Sequence, residues 1–431
     1  MTESDVPLKP PPKRKAQANP LLRAAAILAT VVVIIPMLVP FGLVGVLGER
    51  FGAYMQPRYT NTDERLNRAD AMRRFALPKD PSIAPLQAGL AFNALQPADT
   101  RKSAFSLVEL PSRADAFWRD EELEPGLFPK ARPTQVRGLP NPNLILGLVP
   151  AGFSKEEREF LERVATAPIW RTLDSVTRAP AVDMLGGRFR LPYPDSAHVF
   201  EMPLSKFAAT KELAYASQVR AAYHLSRQQR DSAENVLRSI VSLGFVLIDN
   251  GTTLIDESLG AILVGIGRTA LTDYYALTKN PEATALKALN ETKSNEVARA
   301  AGPATRSAAE ARAAMIAIVR DSTARRGIRF EMLTMLSFTP CTNLRELAFG
   351  SRGDVTEAIQ LARKQLPRYP SEVALIDLST RALTREFPPM GRPDAVIPQF
   401  LLGAASFASG ILQNPRLKGC ATLMAFGQPL G

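Results

Sequence analysis

The chain has 431 residues, 46% of them hydrophobic and 22% charged, a balance that excludes a fibrous or a wholly disordered polypeptide. The net charge of +11 is spread among Asp and Glu, with no basic stripe interleaved with aromatics, which speaks against a nucleic-acid binder. Two Cys and two His exclude a disulfide-dense scaffold and offer no structural zinc spacing.

Residues 1–20 read MTESDVPLKPPPKRKAQANP, too polar and proline-rich to build a core, and are expected to be a disordered basic tail on the cytoplasmic side. Residues 24–48 follow without one charged side chain. Twenty-five residues of α-helix reach about 37 Å, and a bilayer core is about 30 Å thick. A transmembrane helix is therefore expected over 21–48, kinked near Pro36 and Pro40. The run is too long for a signal-peptide core and lacks a good small-residue cleavage site, so it reads as an uncleaved anchor. Lys9, Lys13, Arg14, Lys15 and Arg23 precede it, whereas Arg50, Arg58, Arg65 and Arg68 follow more sparsely. This asymmetry predicts an inner-membrane, single-pass protein with its N-terminus inside and its main domain extracytoplasmic.

Residues 49–153 are cut by recurrent prolines and are expected to wrap irregularly over a helical body, with short helices at 61–75, 84–94 and 113–121. The helical domain is expected over 154–431. Ser154 and Glu157 form a capping-box pattern at its start. Ala167-Pro168 breaks the helix, and 178–203 reads as loop, with any strand near Phe189–Leu191 or His198–Glu201. From 204 the pattern becomes helical at about 205–226, 231–249 and 253–277. Asn250-Gly251 is expected to end the second of these through a positive φ. Pro281 and Pro303 are expected to open further helices, followed by 328–337, 341–350, 353–366, 371–385, 395–412 and 416–426. The run 395–412 also lacks charge; it reads as a buried helix of the core, with a second membrane segment as the alternative.

The stretch CTNLRELAFGSRGDVTEAIQLARKQLPRYP, residues 341–370, resembles a tetratricopeptide repeat. Phe349 stands at the first-helix aromatic, Gly353 at the turn glycine, Ala358 at the small second-helix position and Pro370 at the closing proline, while Thr342, Arg345 and Glu346 replace the usual first-helix residues. A second echo lies at about 210–245. The resemblance implies paired helices that present a binding surface. The expected fold class is accordingly mainly α: one transmembrane helix, then an α-solenoid-like array with a proline-rich irregular N-terminal part.

Chemistry-bearing motifs are scarce. No H-E-x-x-H, G-x-S-x-G, Walker A or G-x-G-x-x-G occurs. His198 and His224 have no recognisable partners. Asp249, Asp256 and Glu257 lie in apolar helical context. As a buried pair, Asp256 and Glu257 could serve as acid and base; as first-turn residues they would simply favour the helix dipole. Cys341 and Cys420 can pair in an oxidising compartment or remain two buried thiols. The cluster Arg320, Arg325, Arg326 and Arg329 reads as a solvated surface. No metal or cofactor is expected. The expected function is a membrane-anchored binding or scaffold protein, its partners the bilayer and an envelope protein or peptide, with an envelope hydrolase using Asp256 and Glu257 as the alternative.

Overall fold

Helix starts follow local chemistry. In the computed structural model, which describes residues 69–98, 105–120, 127–128, 142–194, 199, 202–291, 315–336 and 353–384, proline opens α1 (Pro85–Ala94) at its first turn, where a missing N–H costs nothing. Two short helices follow, α2 (Arg113–Asp120) and α3 (Pro142–Leu148). Ser154 caps α4 (Lys155–Thr166): its hydroxyl accepts from Glu157 N, and the Glu157 carboxylate accepts from Ser154 N at 2.8 Å. Pro168 leads into α5 (Ile169–Arg178). Three long helices come next: α6 (Phe207–Ser226), α7 (Arg230–Asn250) and α8 (Leu254–Leu277). Then come α9 (Glu282–Glu291), a helical stretch at 315–320, α10 (Arg326–Leu336), α11 (Gly353–Gln365) and α12 (Pro370–Thr384).

Connections of three residues join α6 to α7 and α7 to α8, so the three helices fold back on one another. Alanines make α6 slim, and it is buried along most of its girth, from Ala209 and Leu213 to Ala221 and Ala222; α3, α4 and α7 pack around it. α7 and α8 make the most extensive helix contact in the fold. Gly244 and Gly260 permit it: a Cβ on Gly260 would lie 2.5 Å from the Gly244 carbonyl oxygen. Gly251 does end α7, but its φ is −60°, not positive. Glycine is required there for closeness, since a Cβ would lie 2.5 Å from the Leu247 carbonyl oxygen and 2.6 Å from the Asp256 Cβ.

The proline-rich segment joins the same core. Met72, Phe75, Phe92, Phe117 and Ile145 belong to one cluster that continues through α6–α8 to Leu378. Leu77 N donates to Ser242 Oγ at 2.7 Å, and the Arg238 guanidinium donates to the carbonyls of Phe75 and Ala76. Where a helix is expected over 61–75, the described part ends in a single 3-10 turn, Arg73–Phe75. Phe189 pairs with Leu107 in an isolated antiparallel bridge, one of the two expected strand positions; the other, 198–201, lies almost wholly outside the described residues.

The expected fold class needs correction. The protein is mainly helical, but among the described residues no helix is long and apolar enough to cross a membrane. The longest, α8, carries Asp256, Glu257, Arg268 and Asp273, and α7 carries Glu234, Arg238 and Asp249, which interrupt any apolar run. The runs 24–48 and 395–412 lie outside the described residues. The array is also not solenoid-like. In a solenoid each repeat touches only its neighbours, whereas here α3 reaches both α6 and α8, and α10 reaches α7, α8 and α12. Within the tetratricopeptide-like stretch, Gly353 begins α11 and Pro370 begins α12; Phe349 lies outside the described residues.

Candidate functional site

Thr253 caps α8, with its hydroxyl accepting from Asp256 N at 3.1 Å and donating to Asp256 Oδ2 at 2.9 Å. This bond fixes Asp256 in the first turn, facing inward with 6% of its surface exposed. Burial raises its pKa, opposed by hydrogen bonds from Thr252 and Thr253 and by the charge of Arg188. The next residue points elsewhere, because successive side chains on a helix are about 100° apart. Glu257 is fully buried, and its Oε1 accepts from Gly327 N at 2.7 Å, in the first turn of α10. Its Oε2 has no hydrogen-bond partner among the described residues. Burial pushes the Glu257 carboxyl up to about 8, against the Gly327 and Ile328 amides and the nearby Arg325.

Asp256 forms part of the wall of a shallow, open cleft. The end of α1, the turn 184–189, residues 202–205 and the start of α8 enclose it. Its floor is apolar, with Phe92, Leu185, Phe189 and Met202, and its charged groups are Arg188 and Asp256. Arg188 donates to the Leu204 carbonyl at 2.9 Å and lies over the Phe189 ring. Gln96 accepts from Lys206 N at 2.8 Å and donates to Thr210 Oγ1, which ties the 202–206 strap to α1. A pocket with an apolar floor and a few polar groups suits an apolar side chain flanked by hydrogen-bonding groups.

The two sequence-adjacent acids thus enter different surroundings: Asp256 faces the cleft and Glu257 faces α10. Asp249 lies at the end of α7 and accepts from both terminal guanidinium nitrogens of Arg73, at 2.8 and 2.7 Å. His224 lies on α6 with its Nδ1 2.8 Å from Gln229 Oε1, and burial lowers its pKa. Tyr274 and Tyr275 are buried, their hydroxyls donating to Arg230 O and Glu234 Oε1. Trp118 and Trp170 pack edge-on against Phe117. His198, Cys341 and Cys420 lie outside the described residues.

In the expected solvated arginine cluster Arg320 is indeed exposed, whereas Arg325, Arg326 and Arg329 are largely covered and serve the packing. Arg320 pairs with Glu357 and Arg325 with Asp70, Arg326 pairs with the buried Glu372, and Arg329 bonds Val319 O and Gln365. Reading the sequence missed Arg188, Glu331 and the Asp183–Ser371 contact, in which Ser371 Oγ donates to Asp183 Oδ1 at 2.6 Å. Asp183-x-x-Gly186 is a local turn signal, with Gly186 N donating to Asp183 Oδ1, but nothing nearby in sequence points to Ser371. Among the described residues no group of three or more His, Cys, Asp or Glu could hold a metal ion. Comparison with known proteins returns no matching family model, no matching curated protein and no matching solved structure.

Proposed function

We propose that this protein is a helical binding or scaffolding module that receives a protein or peptide partner in the cleft beside Asp256. One observation carries the reading: Asp256 and Glu257 do not share an open site. A hydrolase that used Asp256 and Glu257 as its acid and base would need both carboxyl groups on one substrate. Here one faces the cleft and the other is committed to the first turn of α10. The cleft offers an apolar seat with Arg188 and Asp256 as groups of opposite charge, which suits a side chain and its adjoining backbone.

The raised carboxyls of Asp256 and Glu257 keep a hydrolase as the second reading, since displaced pKa values gather at catalytic sites. One experiment separates the two. A photo-crosslinking residue is placed at Leu204, 39% exposed at the cleft wall, in cells that produce the protein. A discrete adduct that disappears when Leu185→Trp fills the cleft is the expected result. Turnover of an ester, amide or glycoside substrate by the purified chain, abolished by Asp256→Asn, would overturn it.

A further inference from the structure

Two helices exchange carboxyl groups at their starts. Glu257, in the first turn of α8, caps α10 through Gly327 N at 2.7 Å. Glu331, one turn into α10, returns the contact to α8, where its Oε2 accepts from Leu254 N at 3.4 Å. The fit around Glu257 is close: a Cβ on Gly327 would lie 2.6 Å from its Oε1, so a side chain there would push the carboxyl aside. Its other oxygen is buried without a hydrogen-bond partner among the described residues.

The charges around this contact are few. Arg325, from the segment before α10, acts on Glu257 but is paired to Asp70 at 2.6 Å. Asp256, beside it on α8, acts in the opposite sense and is itself faced by Arg188. Glu331 faces Asp256 from α10. Arg326, next to Gly327, is turned to Glu372 and lies over the Phe330 ring.

We propose that this reciprocal exchange is a proton-dependent latch, in which Glu257 and Glu331 hold α10 against the body in acid and release it as pH rises. Burial is the cause. With α10 docked, Glu257 keeps its proton up to about 8, and burial raises Glu331 as well. With α10 lifted, water reaches both carboxyls and they return to ordinary values of about 4.3. Undocking therefore releases protons across that interval. The contribution to docking is complete below about 4.3 and is lost as pH climbs towards 8. One such group changes the open-to-docked ratio by at most about tenfold per pH unit.

Hydrogen exchange on the full chain tests this at pH 6 and pH 8.5, after correction for the intrinsic rate. Protection over 326–336 should fall at least about tenfold relative to α6 and α7. Glu257→Gln keeps an acceptor for Gly327 N and removes the titration, so most of that fall should vanish. Equal protection of α10 at both pH values in the unaltered protein would overturn the latch, as would a Gln variant that keeps the full fall. Should Glu257→Gln not fold, Glu331→Gln carries the test: a reduced fall supports the latch and an unchanged one overturns it.

Discussion

Gly89 and Gly187 let α1 and the turn after Asp183 meet backbone to backbone. A Cβ at Gly89 would stand 1.9 Å from the Asp183 carbonyl oxygen, and one at Gly187 would stand 2.1 Å from the Gly89 carbonyl carbon. Neither neighbour is a flexible side-chain tip, so the backbones must part. Asp183 N also donates to Pro85 O at 3.0 Å, and parting them strains this bond too. Gly89→Ala is expected to cost about 3 kcal/mol, the upper end for overpacking, in urea unfolding. Gly265→Ala makes the contrast, because nothing lies within 4 Å of its Cβ position on α8. There alanine should raise stability by about 0.5–1 kcal/mol, as it does inside a helix. Similar effects of the two substitutions would refute the packing argument. Sequence alone could not separate these glycines, since the difference lies in what faces each of them across the fold. Glu257 is a parallel case. Its place in a first turn is legible, but its real partner, Gly327, is 70 residues away.

At the scale of elements, what could be read was what is local. Ser154 with Glu157, the proline before α9 and the threonine before α8 all mark helix starts within one turn of themselves, and the structure places helices at each. The capping box should be separable from the rest of the fold, since its hydrogen bonds lie at the surface. Ser154→Ala removes one acceptor from the α4 amides and should lower stability by about 1 kcal/mol in urea, with an unchanged slope. An effect within about 0.2 kcal/mol of zero would mean that water replaces the cap in full. What could not be read depends on distant partners. The turn Arg73–Phe75 is held by Arg238 and Asp249 of α7, and the Leu107–Phe189 bridge joins segments about eighty residues apart. The cleft has the same character: its wall comes from α1, two loops and the start of α8, so no short motif announces it.

Across the described residues, one apolar core runs from the proline-rich segment to α12, yet the C-terminal helices are also tied by polar groups, some of them buried. Ser371 bonds Asp183, Arg368 Nη1 donates to Asp249 O at 3.2 Å, and Arg326 pairs with Glu372, of which only 2% is exposed. Glu372 also accepts from the Arg368 and Tyr369 amides at the start of α12. Desolvation lowers the pKa of Arg326, a sign of what burying its charge costs; Glu372 is the first group to oppose that shift. Removing one partner leaves the other charge buried and uncompensated, which costs about 3–5 kcal/mol in comparable pairs. Arg326→Met is expected to fall in that range. Glu372→Gln keeps an acceptor for the two amides, so its cost reports mainly the stranded guanidinium. The double variant strands neither charge and should cost less than the sum of the two by about 2 kcal/mol. Urea unfolding followed by circular dichroism measures this cycle, and simple additivity would show that the pair does not join α10 to α12. Fluorescence adds the location of the change, because Trp118 and Trp170 both lie in the aromatic cluster around Phe117, in the N-terminal half of the chain. If the pair matters chiefly to the C-terminal helices, Arg326→Met should move the dichroism transition to lower urea while the tryptophan transition moves less.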